Sequence, residues 1–363
     1  IELLEAGTRF DLHFELLVTD GKPAAQIVPY AIAALEGLAK GEIRLGLRKR
    51  RGYGRCQISE WTVSRYQMKK PAELCAWLEV ATLDHRNAAG KGTLHEAFAQ
   101  VFKAQPNSTV NTKDERSQFE MDATFGLERS SLLIRSGFGE SDMGADVVHL
   151  HALDESGRLR PVIPGTSWAG VVRHRTLRIA NTIAVTNNMD QERAGQIVEE
   201  LFGRMPREDE LVGCASRVTF DETYVDKGQS LYQTRVRIDR FTGGAFESAL
   251  FEEAPIYGTD KTRIGFRLHV RDPKKHEIGL LLLALKDLWT GDLPIGGEVA
   301  VGRGRLTGLE ATLQLPKDSN ATSQKIKLCH DKTTLGLNDE QQTDLQSYVD
   351  ALWAKLNGED SDG

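Results

Sequence analysis

Two passages of this sequence carry the same glycine pattern 250 positions apart, and no other feature constrains the fold as strongly. The first, GEIRLGLRKRRGYGR, spans residues 41–55, and the second, GDLPIGGEVAVGRGR, spans residues 291–305. Four glycines and one arginine are shared: Gly41, Gly46, Gly52, Gly54 and Arg55 recur as Gly291, Gly296, Gly302, Gly304 and Arg305. Each passage follows an apolar helical stretch. A repeat of this length predicts two copies of one domain, or parts of two.

The residues around the first passage predict a strand, a helix, the glycine-rich loop and another strand. Alternating apolar residues indicate a strand over residues 10–18. Apolar residues at helical spacing indicate a helix over residues 28–40, which Gly41 ends, and a second strand follows at 55–58. Only the C-terminal half of the first copy is expected in this sequence. Such halves in tandem predict an α+β fold of ferredoxin-like or RNA-recognition-motif type.

The chain is expected to contain four segments. They are residues 1–62, the C-terminal half of a first domain; 63–128, a connector with a helix at 94–102; 129–315, a complete second domain; and 316–363, a polar segment with a helix at 339–356 and a disordered acidic end. At 363 residues the chain is long enough for two ordinary domains.

Charge and cysteine usage narrow the cellular context. The formal net charge is −6, yet six basic residues crowd into the first passage: Arg44, Arg48, Lys49, Arg50, Arg51 and Arg55. A phosphate backbone responds to such a local patch rather than to bulk charge. The four cysteines have no metal-like spacing, and the longest apolar run is too short to span a bilayer. These features predict a cytoplasmic protein without a membrane partner.

Two further motifs suggest contact with phosphate or bases. Glycine-rich loops allow close approach of a phosphate to main-chain N–H groups, although such a loop can equally be a structural turn. The IPGTS turn at residues 163–167 leads into a helix with Thr166 or Ser167 as the expected N-cap. A helix N-terminus favours phosphate, but an ordinary capped helix is the alternative.

In order along the chain, the motifs IPGTSWAGVVRHR, LFG, VRIDRFTGGAFESALFEE and GGEVAVGRGR resemble those of the RAMP superfamily. The likeness is to the backbone subunit of type III CRISPR effector complexes, in the fused double-domain form of type III-D and related branches. It implies guide RNA (crRNA), complementary target RNA and other effector subunits as partners. The thumb hairpin around residues 236–253 would wedge between guide bases, with two core phenylalanines as the alternative. The implied RNA-binding residues are Ser167, Arg173, His174, Arg237, Arg240, Phe241, Phe246, Arg48, Lys49, Arg50, Arg51, Gly52, Gly54, Arg55, Gly302, Arg303, Gly304 and Arg305.

The same resemblance implies a cutting loop between the first strand of the second domain and the IPG turn. Family members that cleave target RNA carry an aspartate there, and Asp146 matches best, then Asp142, then Asp154. One carboxylate can hold Mg²⁺ or orient the attacking 2′-hydroxyl. His149 or His151 is a candidate general base. A metal-dependent endoribonuclease is therefore expected, with a non-catalytic RNA-binding scaffold as the alternative. A small-molecule enzyme is a weaker alternative, because the sequence contains no clear Ser–His–Asp, metal-cluster or dinucleotide-binding signature.

Overall fold

A computed structural model describes residues 4, 7–18, 24–46, 49, 54–79, 90–102, 116–128, 131–134, 145–154, 156–206, 210, 212–316, 324–329 and 337–359. In these ranges seven α-helices accompany several mainly antiparallel sheets, which confirms the α+β class. The chain divides into two compact units. Of the described residues, the smaller contains those between 10 and 49 and between 54 and 102, and the larger contains residues 4 and 7–9 and those from 116 onward.

The described residues of the smaller unit form three helices and one pair of short strands. Its elements are α1 (Ala24–Ala39), β1 (Trp61–Val63), α2 (Pro71–Glu79), β2 (Gly90–Gly92) and α3 (Leu94–Phe102). β1 and β2 pair antiparallel. Val28 and Ile32 of α1 are buried with Leu94 of α3, because apolar residues four apart share one helical face. The helices predicted at residues 28–40 and 94–102 are confirmed.

Two predicted strands of the smaller unit are wrong. Residues 10–18 are irregular, and their alternating apolar side chains, from Phe10 to Val18, are exposed. Residues 55–58 are also irregular, and the strand there starts at Trp61. A strand forms only where neighbouring strands pair with its backbone groups. Among the described elements, no strand pairs with residues 10–18. Their alternation of apolar and polar residues is therefore not sufficient to form a strand.

The larger unit is organised by an eight-stranded sheet. Its elements are β3 (Gln118–Leu127), β4 (Leu132–Leu133), β5 (Val147–Val148), β6 (His151–Leu153), β7 (Leu159–Ile163), α4 (Gly165–Thr186), α5 (Gln191–Phe202), β8 (Val218–Phe220), β9 (Thr223–Asp226), β10 (Gln229–Ser230), β11 (Gln233–Ile238), β12 (Ala245–Ala254), β13 (Ile256–Tyr257), β14 (Arg263–Arg271), α6 (Lys275–Trp289), a 3-10 turn (Val299–Val301), β15 (Leu306–Gln314), β16 (Lys325–Cys329) and α7 (Asp339–Asn357). The strand order is β16-β15-β3-β14-β9-β7-β6, and β8 also pairs with β14. Smaller sheets join β10, β13 and β4, and join β11, β12 and β5.

Strand β3 lies inside this sheet, although its residues fall in the segment expected to be a connector. It pairs antiparallel with both β14 and β15. Its buried side chains alternate along the strand, as on a sheet with one covered face: Phe119, Met121, Ala123, Phe125 and Leu127. The larger unit therefore begins upstream of residue 129.

Helix α4 is anchored to the sheet by a buried tryptophan. The ring of Trp168 packs edge-to-face on Phe266 with centroids 4.9 Å apart, and its Nε1–H donates to Thr223 Oγ1 at 2.9 Å. The helix begins at Gly165 after an extended Pro164, which makes no side-chain cap bond. The expected N-cap at Thr166 or Ser167 is therefore wrong, because both residues already lie in the first turn.

The C-terminal segment packs on the larger unit. Strand β16, which polar composition concealed, adds to β15 and buries Ile326 and Leu328. Helix α7 lies so close to α6 that a Cβ on Gly279 would be 2.1 Å from the Tyr348 carbonyl oxygen. The predicted helix at residues 339–356 is confirmed within one residue, while residues 360–363, expected to be disordered, lie outside the described residues.

Candidate nucleic-acid interface

Where the structure describes both glycine-rich loops, they share a cross-loop backbone hydrogen bond and left-handed glycines. Leu45 N–H donates to Gly54 O at 2.9 Å in the first loop, and Ile295 N–H donates to Gly304 O at 2.9 Å in the second. Gly54 and Gly304 have φ of +78° and +77°. A Cβ on either would lie 1.8 Å from the carbonyl oxygen across the loop. Glycine is therefore required at both positions by sterics and by φ.

Most main-chain donors of the second loop are already used inside the protein. Gly302 N–H donates to Val299 O at 3.0 Å, and Gly304 N–H donates to Leu132 O at 2.8 Å. Arg305 N–H donates to Ser131 Oγ at 3.0 Å. These three N–H groups already have acceptors inside the protein, so they are not available to bind phosphate as the sequence predicted. The backbone at Gly302 is open, since a Cβ there would meet nothing within 4 Å.

The arginines of the second loop point in different directions. Arg305 is exposed and its Nε lies 2.9 Å from Glu128 Oε2. Arg303 is only 6% exposed, and it forms ion pairs with Glu253 and Glu298. In the first loop Lys49 and Arg55 are exposed, and Lys49 O accepts from Arg44 Nη1 at 2.9 Å. Arg48, Arg50, Arg51 and Gly52 lie outside the described residues.

Helix α4 presents basic side chains on its outer face. Arg173 and His174 are exposed, while Trp168 and Val172 are buried on the opposite side. Ser167 is half-buried in the first turn. The same helix also carries Arg175, whose Nε donates to Asp287 Oδ2 on α6 at 2.6 Å. Arg173 and His174 are therefore accessible to a ligand.

The thumb hairpin, formed by β11 and β12, exposes both phenylalanines. Asp239 closes the turn by accepting the Phe241 N–H at 2.8 Å. Phe241 at the tip is 100% exposed, and Phe246 is 46% exposed beneath the guanidinium of Arg237, which lies 5.0 Å from its ring centroid. Arg240 is exposed beside them. The alternative in which both phenylalanines belong to the core is wrong.

Asp146 lies at the foot of this hairpin. It precedes β5, which pairs parallel with β12 so that Val147 is opposite Glu253. The Asp146 side chain is exposed, and its Oδ2 accepts the Glu252 N–H at 2.9 Å. One backbone bond therefore orients the carboxylate at an open surface. Asp142 lies outside the described residues.

The other acid–base candidates of the loop have structural environments. His149 is 1% exposed, and its Nε2 lies 3.1 Å from Val162 O, so the ring is enclosed. His151 is the accessible one of the pair. Asp154 closes a turn, and the hydroxyl of Ser156, the N–H groups of Arg158 and Ser156 and the Arg158 charge lower its pKa to about 2. A general base must reach its proton, and His149 is poorly placed for that.

Asp146 is the described carboxylate of this loop that is exposed and free of a turn, so it is the one to test for a divalent cation. Among the described residues, no three His, Cys, Asp or Glu side chains come together in a metal-binding group. Mg²⁺, however, is commonly held by one or two carboxylates together with substrate phosphates. An exposed, oriented carboxylate fits that mode. When bound, Mg²⁺ would supply positive charge to the scissile phosphate.

The fold and these surfaces define an α+β domain of ferredoxin-like type with an exposed aromatic hairpin. Residues 129–307 match the RAMP superfamily, which is consistent with a RAMP-type protein and suggests a CRISPR-associated RNA-binding subunit. The matched residues include helix α4, the hairpin and the second glycine-rich loop. No curated protein matches the chain. Within the described residues, no helix combines the length and apolar character needed to cross a membrane.

Proposed function

We propose that this chain is a guide-RNA-binding backbone subunit of a type III CRISPR effector complex, and that it cleaves target RNA through Asp146. The observation that carries the proposal is the thumb hairpin. Its tip exposes Phe241 completely, with Arg237 and Arg240 nearby, in a domain that matches the RAMP superfamily. A planar ring beside arginines is suited to bases and phosphates, since stacking contributes about 1–3 kcal/mol per base.

In this proposal the larger unit holds guide RNA through side chains rather than through loop amides. Arg173 and His174 on α4 provide charge and hydrogen-bond donors to the backbone of the guide. Phe241 inserts between bases and unstacks one step of the guide–target duplex. The smaller unit contributes its own basic passage, in which Lys49 and Arg55 are exposed.

Cleavage would occur at the foot of the hairpin, where Asp146 is exposed. The Glu252 N–H holds one carboxylate oxygen and so orients the other for the substrate. Asp146 takes the proton of the 2′-hydroxyl as the 2′-oxygen bonds to phosphorus. The bond from phosphorus to the 5′-oxygen breaks, and that oxygen takes a proton from water. The expected products are a 2′,3′-cyclic phosphate and a 5′-hydroxyl.

A non-catalytic scaffold is the second candidate, and a specific observation favours it. Of the candidate acid–base groups described in this loop besides Asp146, His149 is buried and Asp154 is committed to a turn, which leaves His151 as the exposed one. Asp146 would then serve to fasten β5 to β12. Both candidates use the same RNA contacts, so cleavage alone separates them.

The test is cleavage of a guide-complementary RNA by the assembled complex. Asp146→Ala should slow cleavage at every site by at least about 100-fold, the usual contribution of acid–base catalysis, while guide retention is unchanged. Asp142→Ala asks whether the neighbouring acid is used instead. Asp350→Ala, an exposed acid on α7, is the matched control and should cleave normally. An Asp146→Ala complex that assembles and cuts at the wild-type rate would refute the catalytic assignment, and a wild-type complex that does not cut would favour the scaffold.

A further inference from the structure

A buried ion pair joins the second glycine-rich loop to the thumb hairpin. Arg303 is 6% exposed and Glu253 is fully buried. Arg303 Nη1 lies 3.0 Å from Glu253 Oε2, and its Nη2 bonds the other carboxylate oxygen. The contact is therefore bidentate, which fixes orientation as well as distance.

Two further charges complete a neutral network. Glu298 Oε2 lies 2.9 Å from Arg303 Nη1 and 2.6 Å from Arg235 Nη1. Arg235 also reaches Glu253 Oε2 at 3.4 Å. Burial opposes ionisation of Glu253, but hydrogen bonds and charge from Arg303 and Arg235 outweigh it and lower its pKa. Two positive and two negative groups thus balance, with Arg303 and Glu253 buried and with Arg235 and Glu298 reaching the surface.

This network lies where three candidate RNA-contacting elements meet. Glu298 and Arg303 belong to the loop, and Arg235 and Glu253 belong to the stem of the hairpin. The backbone of Glu253 is opposite Val147 of β5. The preceding residue, Glu252, donates its N–H to Asp146. A shift of Glu253 would therefore move both the hairpin and the Asp146 carboxylate.

We propose that Arg303 is a positioning residue, which fixes the hairpin stem and Asp146 relative to the glycine-rich loop without touching RNA. The proposal rests on the proposed function, because it concerns how RNA-contacting parts are held. It assigns Arg303 a different role from the exposed arginines around it. Removing Arg303 alone would leave two carboxylates, Glu253 and Glu298, sharing the single guanidinium of Arg235. One negative charge would then be uncompensated beside the buried Glu253, which is unfavourable. Removing both partners would leave the Arg235–Glu298 pair balanced.

The experiment measures the affinity of the full chain for a labelled single-stranded RNA across a salt series. Arg303→Met should weaken binding at least about tenfold, because Glu253 loses its bidentate partner and the network gains an uncompensated negative charge, with the salt slope unchanged. Arg303→Met/Glu253→Met should recover most of the affinity. Arg303→Lys should also weaken binding, because it keeps the charge but loses the bidentate fork. Arg240→Ala, an exposed control, should reduce the magnitude of the slope by about 0.7.

A direct RNA contact by Arg303 predicts the opposite pattern. Arg303→Met would then lower the magnitude of the slope by about 0.7, Arg303→Lys would bind almost normally, and removal of Glu253 would rescue nothing. Any of these results overturns the positioning role, as does wild-type binding by Arg303→Met. If the double variant does not fold, Arg303→Lys still separates the two roles, because it retains the positive charge. Weak binding by this variant supports positioning, and nearly normal binding supports direct contact. A wild-type chain without salt-dependent binding would instead contradict the proposed function itself.

Discussion

Gly54 and Gly304 show how a single residue type identifies a structural repeat. Both positions combine a left-handed φ with a carbonyl oxygen that occupies the space of a Cβ. The sequence pattern could predict that the loop occurs twice, because glycine is irreplaceable at such a point. It could not predict that Arg303 is buried. Its partner Glu253 is 50 positions away, and only tertiary structure brings the two side chains together.

At this scale we predict that Gly304→Ala destabilises the larger unit by more than about 1 kcal/mol, since strained backbone alone has that magnitude. The new Cβ would also meet the Ile295 carbonyl. Gly170→Ala is the matched control, because Gly170 lies in α4 with open space around it. The control should be neutral or stabilising by about 0.5–1 kcal/mol. Calorimetric unfolding measures both, and equal stability of Gly304→Ala and wild type would contradict the loop geometry.

The elements that sequence predicts well are those whose signal is local. Helices α3 and α7 were predicted to within one residue, and Asn338 provides the N-cap of α7 seen in the structure. Strands were less predictable. Residues 10–18 alternate but are irregular, whereas β16 is a strand in a segment that looked merely polar. Pairing with neighbours decides strands, and one sequence does not reveal the neighbours.

The β3 strand is a missed element with a visible signal. Its sequence, QFEMDATFGL, alternates apolar and polar residues over most of its length. The polar run that precedes it, at residues 105–117, favours a connector and so masks the strand. The IPG turn is a different case, because the helix starts at Gly165 and the hydroxyl residues lie inside it. The sequence therefore predicted helix α4 but not that it begins at Gly165.

For the thumb hairpin we predict that Phe241→Ala weakens guide-RNA affinity by about 1–3 kcal/mol, the loss expected for one stacked base. The free energy of unfolding should not change, because the ring is fully exposed. Met205→Ala, which also removes an exposed apolar side chain, should leave both quantities unchanged. Fluorescence anisotropy with labelled guide RNA gives the affinities. Loss of stability in Phe241→Ala, or unchanged affinity, would remove the stacking role.

For the molecule as a whole, the glycine-rich loop occurs once in each compact unit, yet the two copies differ in charge. The first carries six basic residues, while the second has two arginines, one of them buried. A duplicated backbone therefore does not imply identical contacts. The copies are expected to contribute differently to binding, with bulk electrostatic attraction concentrated in the first.

This difference is testable by removing the basic cluster. Replacing Arg48, Lys49, Arg50 and Arg51 with alanine should weaken guide-RNA retention. Fewer phosphates would be neutralised, so fewer counterions would be released on binding. The chain should remain folded, as judged by its thermal transition. Four lysines at the same positions form the charge-preserving control and should retain guide RNA. Unchanged retention in the alanine variant would mean that the cluster is only a solvated surface.

The central claim, that this protein binds guide RNA, is tested most directly by the salt dependence of affinity in the wild-type chain. The slope of log K against log salt should be steep and negative, at about −0.7 for each phosphate neutralised on a single strand. Several exposed basic side chains should each contribute to it. A slope indistinguishable from zero would contradict the account, whatever the outcome at Asp146.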